Sequence, residues 1–165
     1  MHYTGDQQIL LGLTACWTAS ARAHESRRAD RLFDDPWAEA LAGPVGAEWL
    51  AQRTADSLTP IVLRTRFFDD FLQHITDQPH LRQIVLVAAG LDTRAFRLAW
   101  PEHTRVFELD QAAVLDHKQQ VLDRAGARPR CDRRAIGVDL AAAWQSNLLE
   151  AGYEPSRPSG WLLEG

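Results

Sequence analysis

The segment QIVLVAAG, Gln83 to Gly90, is an unbroken aliphatic run that ends in a glycine and passes at once into LDTRAF. A β-branched and aliphatic stretch of this length, bounded by a turn residue, predicts a strand buried on both faces in the middle of a parallel sheet. Three later segments repeat the signal: TRVFELD ending at Asp110, RRAIGVDL, and GWLLEG. Between them QAAVLDHKQQVLDRAG reads as a helix stopped by Gly126, and AAAWQSNLLEAG as one closed by Gly152. Strand and helix alternating in steps of this length predict a doubly wound α/β sheet with right-handed crossovers.

The first 80 residues carry a different period. QILLGLTACWTASAR places Ile9, Leu13, Cys16 and Trp17 on one helical face. PWAEALAG starts after Asp35 and is ended by Gly43-Pro44, Pro44 then opens PVGAEWLAQR, and a longer helix runs from about Thr59 with Pro60 in its first turn. In that helix Arg64, Phe67, Phe68, Phe71 and Ile75 fall at i, i+3, i+4, i+7 and i+11, so an arginine lies in line with an apolar stripe and needs a partner. Arg66 lies off the stripe with Asp70 at i+4, the spacing of a surface ion pair. The chain thus divides into a helical segment over residues 1–80 and a sheet segment over 81–165.

Ligands of such sheets bind outside the carboxyl ends of the strands, beside the first. Those ends are Ala88 to Asp92, Asp110, Asp139-Leu140 and Glu164-Gly165, and acids recur at them. A dinucleotide fingerprint needs glycines at 88, 90 and 93, where this chain has Ala88, Gly90 and Thr93, and no GK[ST] follows. The methyl of Ala88 is expected to fit with φ negative, whereas Gly90 supplies the freedom a strand-to-helix turn requires. Asp110 lies twenty residues beyond Gly90 and can accept both hydroxyls of a ribose; it can equally be the N-cap of the next helix. An acid-lined site without a phosphate grip points to a nucleoside that carries positive charge and no phosphate, and S-adenosylmethionine fits. NAD survives as an alternative only through Asp110.

Composition removes other classes. The net charge is −4, and the one dense basic stretch, RAGARPRCDRR from Arg124 to Arg134, is broken by Gly126, Pro129 and Asp132, as a solvated loop is, which argues against nucleic acid. Cys16 and Cys131 match no disulfide or zinc spacing, and His2, His24, His74, His80, His103 and His117 read as surface or capping residues rather than metal ligands. No segment approaches the ~20 apolar residues of a membrane span and no leader pattern opens the chain, so a soluble cytoplasmic protein is expected.

At LRTRFFDDFL, VAAGLDTRAFRL, FELDQ, GVDL and WLLEG the chain resembles the leucine carboxyl methyltransferase family, more closely its bacterial branch of S-adenosylmethionine-dependent O-methyltransferases. The resemblance runs from Glu25 to Gly165. It implies the first four strands of a Rossmann-like class I methyltransferase sheet, preceded by a helical segment that covers the cofactor site. It further implies that Arg64 holds the methionine carboxylate, Gly90 admits the backbone to the methionine and ribose, and Asp110 binds the ribose diol. Asp139 and the backbone of Leu140 would read the adenine edge, and Glu164 would lie near the sulfonium-bearing tail. Asp92 would shape the loop as a helix cap, with Arg94 a partner behind the site.

The family's acceptor is a carboxylate, small-molecule or peptide, already ionised at neutral pH, so no general base is required. Relatives continue beyond EG with the rest of the sheet, so the expectation here is a truncated methyltransferase, inactive alone, or a non-catalytic cofactor-binding or assembly fragment. The fourth strand should lie beside the first with Trp161, Leu162 and Leu163 on an open edge that favours self-association.

Overall fold

The structure is a computed structural model that describes residues 5–164. Three helices come first, α1 (Gly5–Ser26), α2 (Ala38–Ala51) and α3 (Ala55–Thr76). Then follow β1 (Gln83–Val87), α4 (Arg94–Arg97), β2 (Arg105–Asp110), α5 (Ala112–Arg124), β3 (Asp132–Gly137), α6 (Gln145–Glu150) and β4 (Ser159–Leu163). The strands form one parallel sheet in the order β3-β2-β1-β4, so the predicted α/β class and the place of the fourth strand beside the first both hold. His2, Gly165 and the side chain of Ile9 lie outside the described residues.

β1 is central, and Ile84, Val85 and Leu86 are almost fully buried, as its uninterrupted aliphatic sequence demands. One sheet face joins Ile84, Leu86, Val106 and Leu162 to Ala19 of α1, Leu41 of α2, Leu72 of α3 and Leu122 of α5. The helical segment and the sheet therefore share a core. Val85, Phe107, Leu109 and Ile136 on the opposite face pack against Leu148 and Trp144 around α6.

Gly43-Pro44 breaks α2 as expected: Gly43 takes φ 57 and ψ −166, which kinks the helix between two helical pieces. α2 approaches α1 most closely at Gly46, where an added Cβ would stand 2.7 Å from Cys16 O. Only a residue without a side chain allows that approach. α3 begins four residues before the expected Thr59, and α6 covers only half of its predicted span.

The buried face of α3 differs from the predicted stripe. Leu58, Val62, Thr65, Asp69, Leu72 and Thr76 turn inward; of the stripe Phe68 and Ile75 pack against the core, whereas Phe67 is 64% exposed and Phe71 is also exposed. Polar residues take the inward face because each has a partner there: Thr65 Oγ1 donates to Ile61 O, Thr76 Oγ1 to Leu72 O, and Asp69 accepts from two arginines. Arg64 consequently lies at the edge of the buried face, half-exposed.

Two other expectations change. Leu162 is buried in the core and leaves only Trp161 and Leu163 exposed on β4, since successive residues of a strand face opposite ways. The basic stretch is not wholly a solvated loop, because its last residues form β3 and Arg133 turns inward. Arg133 Nη2 and Lys118 Nζ both donate to the buried carboxylate of Glu108 at 2.7 Å. The Arg133 guanidinium also lies over the Phe96 ring, 5.1 Å from its centroid.

Candidate cofactor site

The carboxyl ends of the four strands open into a cleft of about 310 Å³, and α1 and α3 close its other side. All six residues singled out in the sequence line it: Arg64, Gly90, Asp110, Asp139, Leu140 and Glu164. They reach it from α3, from the turn after β1, and from the ends of β2, β3 and β4. The site is thus assembled by topology from segments up to 100 residues apart, as the Arg64 Nη1 donation to Glu164 O shows.

Gly90 has φ +49, so the turn uses the freedom a glycine supplies. Its N–H donates to Asp110 Oδ2 at 2.6 Å and ties the first strand's turn to the end of β2. Asp110 Oδ1 accepts from the N–H of Gln111 at 2.7 Å. Asp110 is not the N-cap of α5, because that position belongs to Gln111. Its carboxylate is held in place by two backbone donors and keeps further lone pairs for a ligand's hydroxyls.

Ala88 also departs from expectation. Its φ is +54, in the left-handed region, and its methyl is exposed on the cleft wall. An L-residue there carries a backbone cost of roughly 1–2 kcal/mol. The surrounding turn enforces it: the N–H of Ala89 donates to Leu109 O, and that of Asp92 to Ala89 O.

The third fingerprint position is taken by Thr93, whose Oγ1 donates to Asp35 Oδ2 at 2.6 Å. Where a dinucleotide enzyme wants glycine to bring a helix N-terminus to a pyrophosphate, this chain spends the position on an anchor to the helical layer. α4 is moreover only four residues long. Arg22 of α1 joins the anchor, with Nε donating to Asp35 Oδ2 at 2.9 Å and Nη2 to Leu91 O at 2.7 Å.

Arg94 and Arg97 extend this network. Arg94 Nε donates to Asp69 Oδ1 at 2.7 Å, and Nη1 donates to both Glu164 Oε2, at 2.7 Å, and Asp92 Oδ2. Arg97 grips Asp69 with two donors, at 2.6 and 2.7 Å. Burial alone would push the Asp92 carboxyl up, but Arg94, with Lys118 and Arg22 behind it, holds it down at about 2. Burial likewise works against the charge on Arg94, and Asp92, Glu164 and Asp69 more than restore it. Asp92 Oδ1 accepts from the N–H of Arg94, the first residue of α4, but the N-cap position belongs to Thr93, so Asp92 is not the expected helix cap.

Asp139 and Leu140 fall just past β3 and line the cleft, and Asp139 Oδ1 accepts from the N–H of Ala141 at 2.9 Å, which fixes the turn there. Arg64 Nε stands 3.2 Å from Glu164 Oε1 yet has no aligned hydrogen-bond partner, an orphaned buried donor in the cleft wall. Sequence reasoning missed Arg22, Asp35 and Asp69. Their partners lie 13 to 69 residues away, and no short motif announces them.

Among the described residues no cluster of His, Cys, Asp and Glu could hold a metal ion, and no helix is long and apolar enough to cross a membrane. Cys16 and Cys131 are free thiols, and burial, with Glu108 adding to it, pushes Cys131 up to about 12.

A parallel sheet of this order, with an acid at the end of its second strand locked onto a glycine turn and a turn whose third position anchors rather than cradles, defines a Rossmann-like fold with an acid-lined cleft at its strand ends. Comparison with known proteins narrows this. The chain belongs to the leucine carboxyl methyltransferase family, which matches residues 15–165. Relatives named "Putative S-adenosyl-L-methionine-dependent methyltransferase" include one from Mycolicibacterium gilvum, 41% identical over 98% of this chain and 59% of its own length. One from Saccharopolyspora erythraea is 45% identical over 94% of this chain and 56% of its own. One from Frankia alni is 49% identical over 94% of this chain and 58% of its own. The chain therefore spans a little over half the length of the curated relatives it matches.

Proposed function

We propose that the cleft binds S-adenosyl-L-methionine and that the chain serves methyl transfer from it to a carboxylate oxygen of a small molecule or peptide. The observation that carries this reading is the pairing of Asp110, fixed on the Gly90 N–H, with an arginine and a glutamate at the other end of one cleft. A ribose diol suits the first; the charged ends of an amino acid suit the second. The orphaned Arg64 Nε supports the fit, since a buried guanidinium donor gains most from a carboxylate acceptor.

In this reading Asp110 orients the ribose, the Asp139-Leu140 backbone borders the adenine, and Arg64 takes the methionine carboxylate. When bound, the cofactor supplies a methyl group made electrophilic by its sulfonium. The protein's part is alignment and exclusion of water. Among the described residues that line the cleft there is no His, Cys, Lys or Tyr. A carboxylate acceptor is already ionised at neutral pH and needs no general base.

Thermal unfolding with S-adenosylhomocysteine and with NAD tests the cofactor. Stabilisation by the first alone is expected; equal shifts, or a shift with NAD alone, would overturn the assignment. Labelled methyl transfer to a panel of carboxylates tests the acceptor. Binding and turnover are separate questions, because roughly two-fifths of each relative's length has no counterpart here.

A further inference from the structure

Among the described residues that line the cleft, Ala88 is the only one other than glycine with a positive φ, +54. A methyl has no rotamer by which to turn aside, and the backbone is not free to turn for it. The N–H of Ala89 donates to Leu109 O and that of Gly90 to Asp110 Oδ2. The Cβ is therefore fixed in direction, and it is exposed on the cleft wall rather than packed. The fold carries left-handed strain here for a side chain that buries nothing, so packing does not account for it.

Topology gives the methyl its place. In the order β3-β2-β1-β4 the strand ends present Asp139 and Leu140, then Asp110, then Ala88, then Glu164. Ala88 thus divides the cleft into a side over β3 and β2 and a side over β4 and α3. The opposite wall is close at this turn: a Cβ added at Gly90 would stand 3.6 Å from Ala15 Cβ of α1, an ordinary contact distance. At about 310 Å³ the whole cleft lies at the lower limit of ligand sites, which run from roughly 300 to 1,000 Å³, so a fixed methyl at its waist matters.

Resting on the reading of the cleft as an adenosyl donor site, we propose that Ala88 is a specificity-determining residue. Its methyl narrows the passage between the two sides and limits how tightly the chain holds an adenosine that carries a long 5′ substituent. A bare nucleoside seated at Asp110 and the Asp139-Leu140 backbone stays on one side and does not meet the methyl. A ligand that continues toward β4 must cross it. The crowding has little room to relax, because Arg22 and Thr93, both bonded to Asp35, pin α1 to the turn and hold the opposite wall where it is.

Calorimetric titration of the 165-residue chain and of its Ala88→Gly variant, each with adenosine and with S-adenosylhomocysteine, tests this. Removing the methyl should tighten S-adenosylhomocysteine by about tenfold, the lower end of what one methyl-sized group is worth in a binding pocket. Adenosine should stay within about twofold. Relief of backbone strain is common to the free and bound protein and cancels from both affinities, so a merely structural role for Ala88 would leave the ratio of the two ligands unmoved.

Unchanged or weaker S-adenosylhomocysteine binding by Ala88→Gly would overturn the proposal. An equal gain for both ligands would overturn it too, since it would trace the effect to a loosened turn rather than to the missing methyl. Either result, with S-adenosylhomocysteine still bound, leaves the donor site standing. Failure of both proteins to bind either ligand sinks the donor site along with this inference.

Discussion

Replacing Ala88 by glycine should stabilise this protein, although glycine is ordinarily the costlier residue. Ala88 is held at φ +54 by the hydrogen bonds of the turn after β1, and its methyl projects into the cleft with no burial to lose. Removing Cβ relieves roughly 1–2 kcal/mol of left-handed strain. Against this stands about 0.4–1 kcal/mol for the extra freedom of glycine in the unfolded chain. The central values leave a net gain of about 0.8 kcal/mol, and with an unfolding entropy of roughly 0.35 kcal/mol/K for a chain of 165 residues this raises Tm by about 2 °C. Ala88→Val runs the other way, because a β-branched side chain is worse still at positive φ. Differential scanning calorimetry of the three proteins is the assay. A glycine variant with an unchanged or lower Tm would refute the strain assigned to Ala88.

Asp110→Ala should weaken S-adenosylhomocysteine binding by about 1.5–3 kcal/mol, read by calorimetry; parent-like affinity would confine Asp110 to tying Gly90 in place. The Asp92 carboxyl has its folded-state value depressed from 3.8 to about 2, so its contribution is complete above about pH 4 and is lost as pH falls toward 2. That amounts to about 2 kcal/mol, and urea unfolding at stepped pH should show an acid slope in the parent that is reduced in Asp92→Asn. The 165-residue chain should self-associate as concentration rises, because among the described residues no strand pairs with the outer edge of β4, where Trp161 is exposed and Leu163 is 68% exposed. A concentration-independent monomer in sedimentation would count against that expectation, and Leu163→Lys should reduce association if the edge is its cause.

The strands and the cleft residues were legible because each announces itself locally. β1 is an uninterrupted aliphatic run, and Gly90, Asp110, Asp139 and Glu164 stand at or just beyond strand ends, where parallel topology brings them together whatever the loops do. The inward face of α3 was not legible, for a reason that follows from its chemistry. Hydrophobic periodicity finds a buried face only when burial is bought with apolar area, and on α3 Thr65, Asp69 and Thr76 are buried by satisfying their polar atoms instead. Phe67 and Phe71 then read as the core stripe while facing outward.

The same blindness hid Arg22, Asp35 and Asp69 and left Arg94 a marginal residue, although the four are nearly inaccessible to solvent. Buried arginines are tolerable only as members of a closed set of ion pairs, so none of them can be recognised without its partners. Those partners come from α1, the loop after it, α3, the turn after β1 and the end of β4. A network of this kind costs desolvation energy that apolar side chains of the same volume would avoid, which makes stability a poor account of its presence here. What it secures is geometry: the helical layer is pinned to the turn at Leu91 and Thr93, and Glu164 is pinned to Arg94, so the two ends of the cleft keep a fixed separation. Under the proposed function, a site that presents one methyl group in line with an acceptor gains more from that rigidity than from another kilocalorie of folding energy.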